Sequence, residues 1–170
     1  MKESDLLISH RDGIYSVKVT GRANFDYAVP LREMTKTLDD HFKCVRLDMA
    51  DCIAMDSTFM GVLSMIGLKA RRTGAAVELL NTPDNLKKLL RDLGVIKLFT
   101  FTTGIDDSAP DWNSSAPREK HDLLTTAETV AEAHKTLVEA DSSNLEKFDQ
   151  VIHFADQDVE RLRKEGEKQP

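Results

Sequence analysis

The sequence is short of several features that would point to particular classes of protein. Its two cysteines, Cys44 and Cys52, match no metal-ligand spacing, and its five histidines share none either. It has no apolar run long enough to span a bilayer, no glycine-rich phosphate loop and no nucleophile elbow. Its N-terminal residues lack the layout of a signal peptide. We therefore predict a cytoplasmic, reduced protein that is not an enzyme, spans no membrane, and needs no metal and no cofactor.

The sequence also has no excess of basic residues over acidic ones. Residues 1–104 carry 15 Lys and Arg against 13 Asp and Glu, whereas residues 105–170 carry 8 against 16. The second part therefore accounts for the whole negative charge of the chain, whose formal net charge is -6. A near-neutral front part and an acidic tail argue against nucleic acid or an anionic membrane as the main partner.

Alternating and helical hydrophobic periods predict an α/β domain in the first 104 residues. The predicted strands are residues 6–10, 14–20, 44–49, 76–80 and 97–101, and the predicted helices are residues 27–41, 57–72 and 83–93. The order β-β-α-β-α-β-α-β is typical of a mixed sheet of about five strands with helices packed on it.

The remainder of the chain has a different character. Residues 105–116 are rich in Asp, Ser, Pro and Asn, which predicts a linker. Residues 117–170 contain two apolar seams at helical spacing, which predict a C-terminal helical hairpin. Such a hairpin is not stable alone in water, so it must dock on the α/β domain, on a second copy as a homodimer, or on a partner. His134 lies on the first seam and is predicted to be a hydrogen-bonded core or interface histidine, not a metal ligand.

A polar triplet, Asp56-Ser57-Thr58, stands between a predicted strand and a long apolar helix. Its side chains can accept hydrogen bonds from the unpaired amides of the first helical turn, which places the Ser57 hydroxyl at or next to the N-cap. A phosphate there would meet the positive end of the helix dipole. Ser57 is therefore a candidate phosphorylation site; the alternative is a plain helix cap that contributes roughly 1 kcal/mol to stability.

The helix after this triplet is apolar on more than one side. Seven large apolar residues between positions 59 and 68 exceed what one buried face accommodates. Two explanations stay open: the C-terminal hairpin or a dimer mate covers the surplus, or Phe59 and Met60 form an exposed apolar patch for a partner.

Short motifs distributed over residues 5–103 resemble the STAS domain, the fold of bacterial anti-sigma factor antagonists. They are Val19-Thr20-Gly21-Arg22, Leu47-Asp48-Met49, Asp56-Ser57-Thr58 with Gly61-Val62-Leu63, Arg72-Thr73-Gly74, Leu80-Asn81-Thr82-Pro83, and residues 89–99. The resemblance covers about 100 residues of the 170 and rests on the order of the motifs, since each alone is weak.

This resemblance implies a regulatory protein of a partner-switching pathway. In phosphorylatable members, the serine after the Asp of the motif is modified by a serine kinase of the histidine-kinase-like ATPase type, which is also the anti-sigma factor. The unmodified antagonist binds that kinase, phosphorylation ends the binding, and a PP2C-type serine phosphatase restores it. The aligned acceptor is Ser57.

From the resemblance and from the apolar surplus of the helix together, six residues are expected to contact the partner. They are Asn24, Asp26, Asp56, Thr58, Phe59 and Met60. The chain departs from the family pattern twice: Phe59 stands where Gly is usual, and Asn24 replaces the usual carboxylate, for which Asp26 is a possible substitute. The alternative function is a STAS scaffold or small-ligand-binding module whose serine is never phosphorylated.

Overall fold

The computed structural model describes residues 5–106 and 122–167. The five strands are β1 (Asp5–Arg11), β2 (Ile14–Ala23), β3 (Cys44–Met55), β4 (Ala76–Leu80) and β5 (Thr100–Thr102). The α-helices are α1 (Phe25–Thr37), α2 (Ser57–Thr73), α3 (Asp84–Asp92), α4 (Leu123–Ala140) and α5 (Asn144–Glu167), with a 3-10 turn at Ile96–Leu98. None of the helices in these described ranges is both long enough and apolar enough to cross a membrane.

The strands form one mixed sheet in the order β1-β2-β3-β4-β5. β1 and β2 form an antiparallel hairpin, and every later pairing is parallel. The parallel strands are connected through helices, as the predicted element order requires. The predicted fold class is confirmed: a five-stranded mixed sheet with helices packed on it, followed by C-terminal helices.

The register between β2 and β3 brings two helix N-termini together. Ala23 pairs with Met55 at the ends of these parallel strands, and the Asp56 amide donates to the Ala23 carbonyl over 3.0 Å. A register shift after Gly21 accompanies a backbone φ of +83° at that residue, which glycine adopts without steric cost. Because both strands end at the same sheet edge, α1 and α2 begin side by side there.

Several predicted boundaries are wrong by a few residues. β3 continues to Met55, six residues past its predicted end. α1 begins at Phe25 and ends at Thr37, which places Pro30 in the second turn and leaves the carbonyl of residue 26 without its usual helical donor. The last strand is preceded by the 3-10 turn at Ile96–Leu98, so it starts at Thr100.

The C-terminal helices form the predicted hairpin, with α4 and α5 packed against each other. We call this pair the C-terminal hairpin. α4 lies on α2 and also contacts α1, so in this structure the hairpin docks on its own α/β domain. The predicted linker, residues 105–116, lies outside the described residues except for residues 105 and 106. The division of the chain at residues 104 and 116 therefore stays a prediction.

Candidate functional site

The start of α2 is fixed by Asp56, not by Ser57. The Asp56 backbone is extended, and its Oδ1 accepts a hydrogen bond from the Phe59 amide over 2.8 Å, as an N-cap side chain does. Ser57 is the first helical residue. The alternative in which Ser57 is itself the cap is therefore wrong, and its hydroxyl is left for another contact.

Asp56 is a half-buried carboxylate at this helix N-terminus. Burial raises the pKa of its carboxyl above the ordinary value, while hydrogen bonds from the Phe59 and Phe25 amides oppose that shift. The two amides belong to different helices, α2 and α1. Asp56 therefore accepts hydrogen bonds from the N-termini of both helices, which lie together at one polar edge of the sheet.

The Ser57 hydroxyl contacts a histidine of the C-terminal hairpin. Its Oγ lies 2.8 Å from Nε2 of His134, and Nδ1 of the same ring lies 2.7 Å from the Val130 carbonyl oxygen. A carbonyl only accepts, so Nδ1 carries the proton and donates to it. Nε2 of the neutral ring is then the acceptor, and the Ser57 hydroxyl donates to it.

The His134 side chain is buried in the hairpin interface. The residue is 2% exposed, and its ring meets the edge of Phe148 at a centroid distance of 4.9 Å. Burial lowers the pKa of the imidazole, against the opposing effects of the Val130 carbonyl and the Asp56 carboxylate. The prediction of a hydrogen-bonded core or interface histidine is confirmed.

The structure brings the predicted polar residues to one sheet edge. Asn24 is the N-cap of α1, and its Oδ1 accepts from the Asp26 amide over 2.9 Å. Asp26 is exposed in the first turn of α1. Thr58 is 6% exposed and so offers little surface. Asn24, Asp26 and Asp56 are thus grouped beside Ser57; their contact with a partner stays a prediction.

The exposed apolar patch predicted at Phe59 and Met60 does not form. Phe59 is fully buried and Met60 is 5% exposed. α2 is covered on two sides: Phe59 joins the core residues on the side that faces the sheet, whereas a Cβ added to Gly61 would lie 2.4 Å from the Ala133 carbonyl oxygen of α4. The surplus of apolar residues is therefore covered by the C-terminal hairpin, which is the other explanation given above.

Two exposed apolar residues at this edge were missed. Phe25, the first residue of α1, is 46% exposed, and Ile53, near the end of β3, is 61% exposed. The sequence carried a weak signal for them: Phe25 directly follows the Asn24 cap, and Ile53 lies in a short apolar run just before the Asp56 cap. Phe25 was not assigned to α1 because the predicted helix began too late, and Ile53 was not assigned to β3 because the predicted strand ended too early.

A buried arginine links the C-terminal hairpin to α1. The Arg32 side chain is 4% exposed and forms two hydrogen bonds with the Glu132 carboxylate, at 2.7 and 2.8 Å. Glu128, one turn earlier on α4, lies 3.5 Å from the same guanidinium. The bond to Arg32 holds the pKa of the Glu132 carboxyl below its ordinary value. Sequence reasoning gave no sign of this pair, whose members are 100 residues apart.

The loop between α4 and α5 forms a further contact with the α/β domain. Asn144 is fully buried, and its amide donates to the Leu93 carbonyl over 2.9 Å and to the Leu137 carbonyl over 2.8 Å. A Cβ added to Gly94 would lie 2.0 Å from Asp141 Oδ2, so only glycine fits against this loop. The hairpin is therefore fixed to the α/β domain at the middle of α4 and just past its C-terminal end.

The five-stranded mixed sheet, with a serine at the start of the helix after β3, defines a class of small α/β domain. A sequence model of the STAS domain matches residues 6–108, which is more than half of the chain. The protein therefore belongs to the STAS domain family. No curated protein matches the sequence significantly.

Two solved structures are similar in fold. The anti-sigma factor antagonist SpoIIAA, in its unphosphorylated form, has 10% identity and a TM-score of 0.51, and the match covers 61% of this chain and 91% of SpoIIAA. A candidate anti-sigma factor antagonist from Thermotoga maritima has 13% identity and a TM-score of 0.52, with 61% and 90% covered. At these identities the likeness shows the fold alone.

Proposed function

We propose that this protein is an anti-sigma factor antagonist of a partner-switching pathway, controlled by phosphorylation of Ser57. One observation carries the proposal: the Ser57 hydroxyl lies at the amide-rich start of α2, not engaged as a cap, beside Asn24, Asp26 and Asp56. The proposed partner is a serine kinase of the histidine-kinase-like ATPase type that is also the anti-sigma factor. A PP2C-type serine phosphatase reverses the modification.

The physical effect of the phosphate follows from its charge. A phosphoserine carries about -1.5 to -2 charges at neutral pH, and the dipole at the start of α2 offsets part of its repulsion from Asp56. An interface that buried this phosphate without a cation would be strongly weakened, because an unpaired buried charge is costly. Phosphorylation is thus expected to end partner binding while the α/β domain stays folded.

The surface offered to the partner includes apolar area. Phe25 and Ile53 are the exposed apolar residues at the sheet edge that carries Ser57, Asn24 and Asp26. Apolar anchors surrounded by polar side chains are typical of protein interfaces. We therefore place Phe25 and Ile53 in the partner interface, in the role that the sequence assigned to Phe59 and Met60.

The test of the proposal is incubation of the full chain with ATP and the serine kinase encoded nearest to its gene. We expect a mass increase of one phosphate that maps to Ser57 and is absent in Ser57→Ala. Thr58→Ala is the matched control, since it removes the neighbouring hydroxyl and should still be phosphorylated. Phosphate that persists in Ser57→Ala would contradict the proposal.

The second candidate is a STAS scaffold whose serine is never modified. The 2.8 Å hydrogen bond from Ser57 to His134 favours it, because that bond occupies the hydroxyl. In that case the kinase adds no phosphate to the wild type, to Ser57→Ala or to any variant in which the hairpin is released.

A homodimer through the outer side of the C-terminal hairpin remains part of the proposal. Leu123 and Phe154 are 72% and 60% exposed there, and Val151 is 38% exposed. We expect sedimentation to show a dimeric mass for the wild type and a monomeric mass for Phe154→Glu. A wild-type protein that is monomeric at all concentrations would exclude the dimer.

A further inference from the structure

The contact between α2 and α4 leaves no space for a phosphate at the position that the hydroxyl of the partly exposed Ser57 now occupies. The hydroxyl oxygen is 2.8 Å from His134 Nε2, whose side chain is buried. One helical turn further on, a Cβ at Gly61 would lie 2.4 Å from the Ala133 carbonyl oxygen. A phosphoryl group on the hydroxyl in this orientation would place a phosphorus and three more oxygens in this gap. The hydrogen bond between Ser57 and His134 would therefore be lost, and with it a contact that holds α4 on α2.

From this geometry we propose that the C-terminal hairpin is an intramolecular lid over Ser57, and that its docking and the phosphorylation of Ser57 exclude each other. The inference rests on the proposed function in that it takes Ser57 as the acceptor. The docked hairpin limits access of the kinase to the hydroxyl, and a phosphate on Ser57 keeps the hairpin released.

The chemistry of the transfer defines what the lid blocks. The Ser57 oxygen forms a bond to the γ-phosphorus of ATP, the bond from that phosphorus to the bridging oxygen breaks, and ADP leaves. The hydroxyl proton passes to the base of the kinase. Both the attacking oxygen and its proton are engaged with His134 in the docked state, so this hydrogen bond must break before the kinase can align them, and release of the hairpin breaks it.

Electrostatics favours release once the phosphate is present. The neutral His134 ring turns a lone pair, not a proton, toward the serine oxygen. The Asp56 carboxylate is adjacent, whereas Glu128 and Glu132, on the same helix as His134, are paired with Arg32. Residues 105–170 as a whole carry 16 acidic against 8 basic residues. A phosphate at Ser57 therefore meets repulsion from Asp56 and from the His134 lone pair, within the field of an acidic C-terminal part, that the unmodified hydroxyl does not.

The composition of the interface makes a separate release of the hairpin feasible. The buried residues of α4, all of whose residues the structure describes, are Ala127, Thr129, Ala131, Ala133, His134 and Leu137, with a single large aliphatic side chain among them. The other anchors include polar contacts, the Arg32–Glu132 pair and the Asn144 amide, and one aromatic ring, Phe148, that packs against the core. An interface with small and polar residues is weaker than a core, so local opening can precede global unfolding.

The first experiment compares phosphorylation rates of full-length variants that release the hairpin without changing Ser57. Glu132→Lys places a cation against Arg32 and should increase the open fraction, whereas Glu139→Lys makes the same charge change at an exposed position of α4. With the kinase and ATP, we expect phosphate to enter Glu132→Lys about tenfold faster than wild type and Glu139→Lys. Equal and measurable rates for all three proteins overturn the lid.

The second experiment needs no kinase and therefore separates the lid from the proposed function. Ser57→Glu places a carboxylate against the His134 lone pair, and Thr100→Glu adds the same charge at an exposed site on β5. Hydrogen–deuterium exchange of the full chains should show α4 exchanging at least about tenfold faster in Ser57→Glu, with β2 and β3 as slow as in the wild type.

The outcomes of the two experiments are distinct. If no variant is phosphorylated while Ser57→Glu releases α4, the lid stands and the proposed function fails. If α4 stays as protected in Ser57→Glu as in Thr100→Glu, the lid is overturned. Loss of protection in the sheet together with α4 overturns it too, because the hairpin is then not a separately movable part.

Discussion

The two sides of α2 differ in kind. At 100° per residue, Phe59, Leu63 and Ile66 fall on one side, and Ser57, Gly61 and Ser64 fall on the other. The first side carries large side chains that are fully buried in the core. The second carries small and polar residues against α4, at Ala133 and His134. The first side packs in the core of the α/β domain, whereas the second side contacts the C-terminal hairpin, the part that we propose can be released.

The largest effect should come from the core side. Phe59→Ala leaves a cavity in a fully buried position and should lower the free energy of unfolding by about 3–5 kcal/mol. Urea denaturation followed by far-UV circular dichroism measures this loss. A loss of unfolding free energy below about 0.5 kcal/mol, as for a surface substitution, would mean that this side of α2 is not in the core. The two sides of α2 would then not differ in kind.

On the side of α2 that faces α4, we expect an added side-chain atom, not a deleted one, to be destabilising. Gly61→Ala forces α2 and α4 apart and should lower the stability of hairpin docking by about 1–3 kcal/mol, because a Cβ there meets the Ala133 backbone. Gly166→Ala is the matched control: nothing lies within 4 Å of its added Cβ, so it should be neutral or stabilise α5. Hydrogen exchange of α4 distinguishes the two variants, and similar protection in both would contradict the close approach.

A third substitution tests which surface beside Ser57 binds the partner. Ile53 is 61% exposed, so Ile53→Asp should leave the free energy of unfolding within about 0.5 kcal/mol of wild type. We expect it to weaken binding to the kinase at least about tenfold, as loss of an apolar anchor does. Leu145→Asp, which adds the same charge at an apolar residue of α5 that is 51% exposed, is the control. Calorimetric titration that finds Ile53→Asp binding like wild type would remove this surface from the interface.

The smallest effect should be the dependence of docking on pH. Burial lowers the pKa of His134 in the docked state below the ordinary value of 6.5. The released hairpin then binds a proton more readily than the docked one, so docking is fully stable above that ordinary value and weakens as the pH falls below it. Asp56, the charged group that faces the ring from α2, opposes the shift only in part.

The measurement is the free energy of unfolding of wild type minus that of His134→Gln, determined in urea between about pH 7.5 and about pH 5.5. Glutamine can still accept from Ser57 but does not titrate in this range. We expect the difference to fall as the pH falls. Parallel curves for the two proteins would show that His134 does not couple docking to protonation.

Local sequence predicted more of the fold than of the site. Hydrophobic periods gave the order of strands and helices because burial of one face follows from spacing alone. The boundaries near the site were less accurate, since Ala50 to Met55 read as a loop although β3 continues through them by pairing with β2. The capping role went to Asp56 and not Ser57, a choice that adjacent residues of similar chemistry leave open until the backbone is placed.

The sequence by itself determined the STAS motifs, the Ser57 hydroxyl at the start of α2 and an apolar helical hairpin that needed a partner surface. Only the tertiary structure decided that this surface is α2 of the same chain, where His134 meets Ser57 from 77 residues away. The physical reason is that periodicity reports how much of a helix must be buried, whereas the identity of what buries it depends on contacts between distant residues. Those contacts include the hydrogen bond from the Ser57 hydroxyl to His134, which nothing in the local sequence indicates.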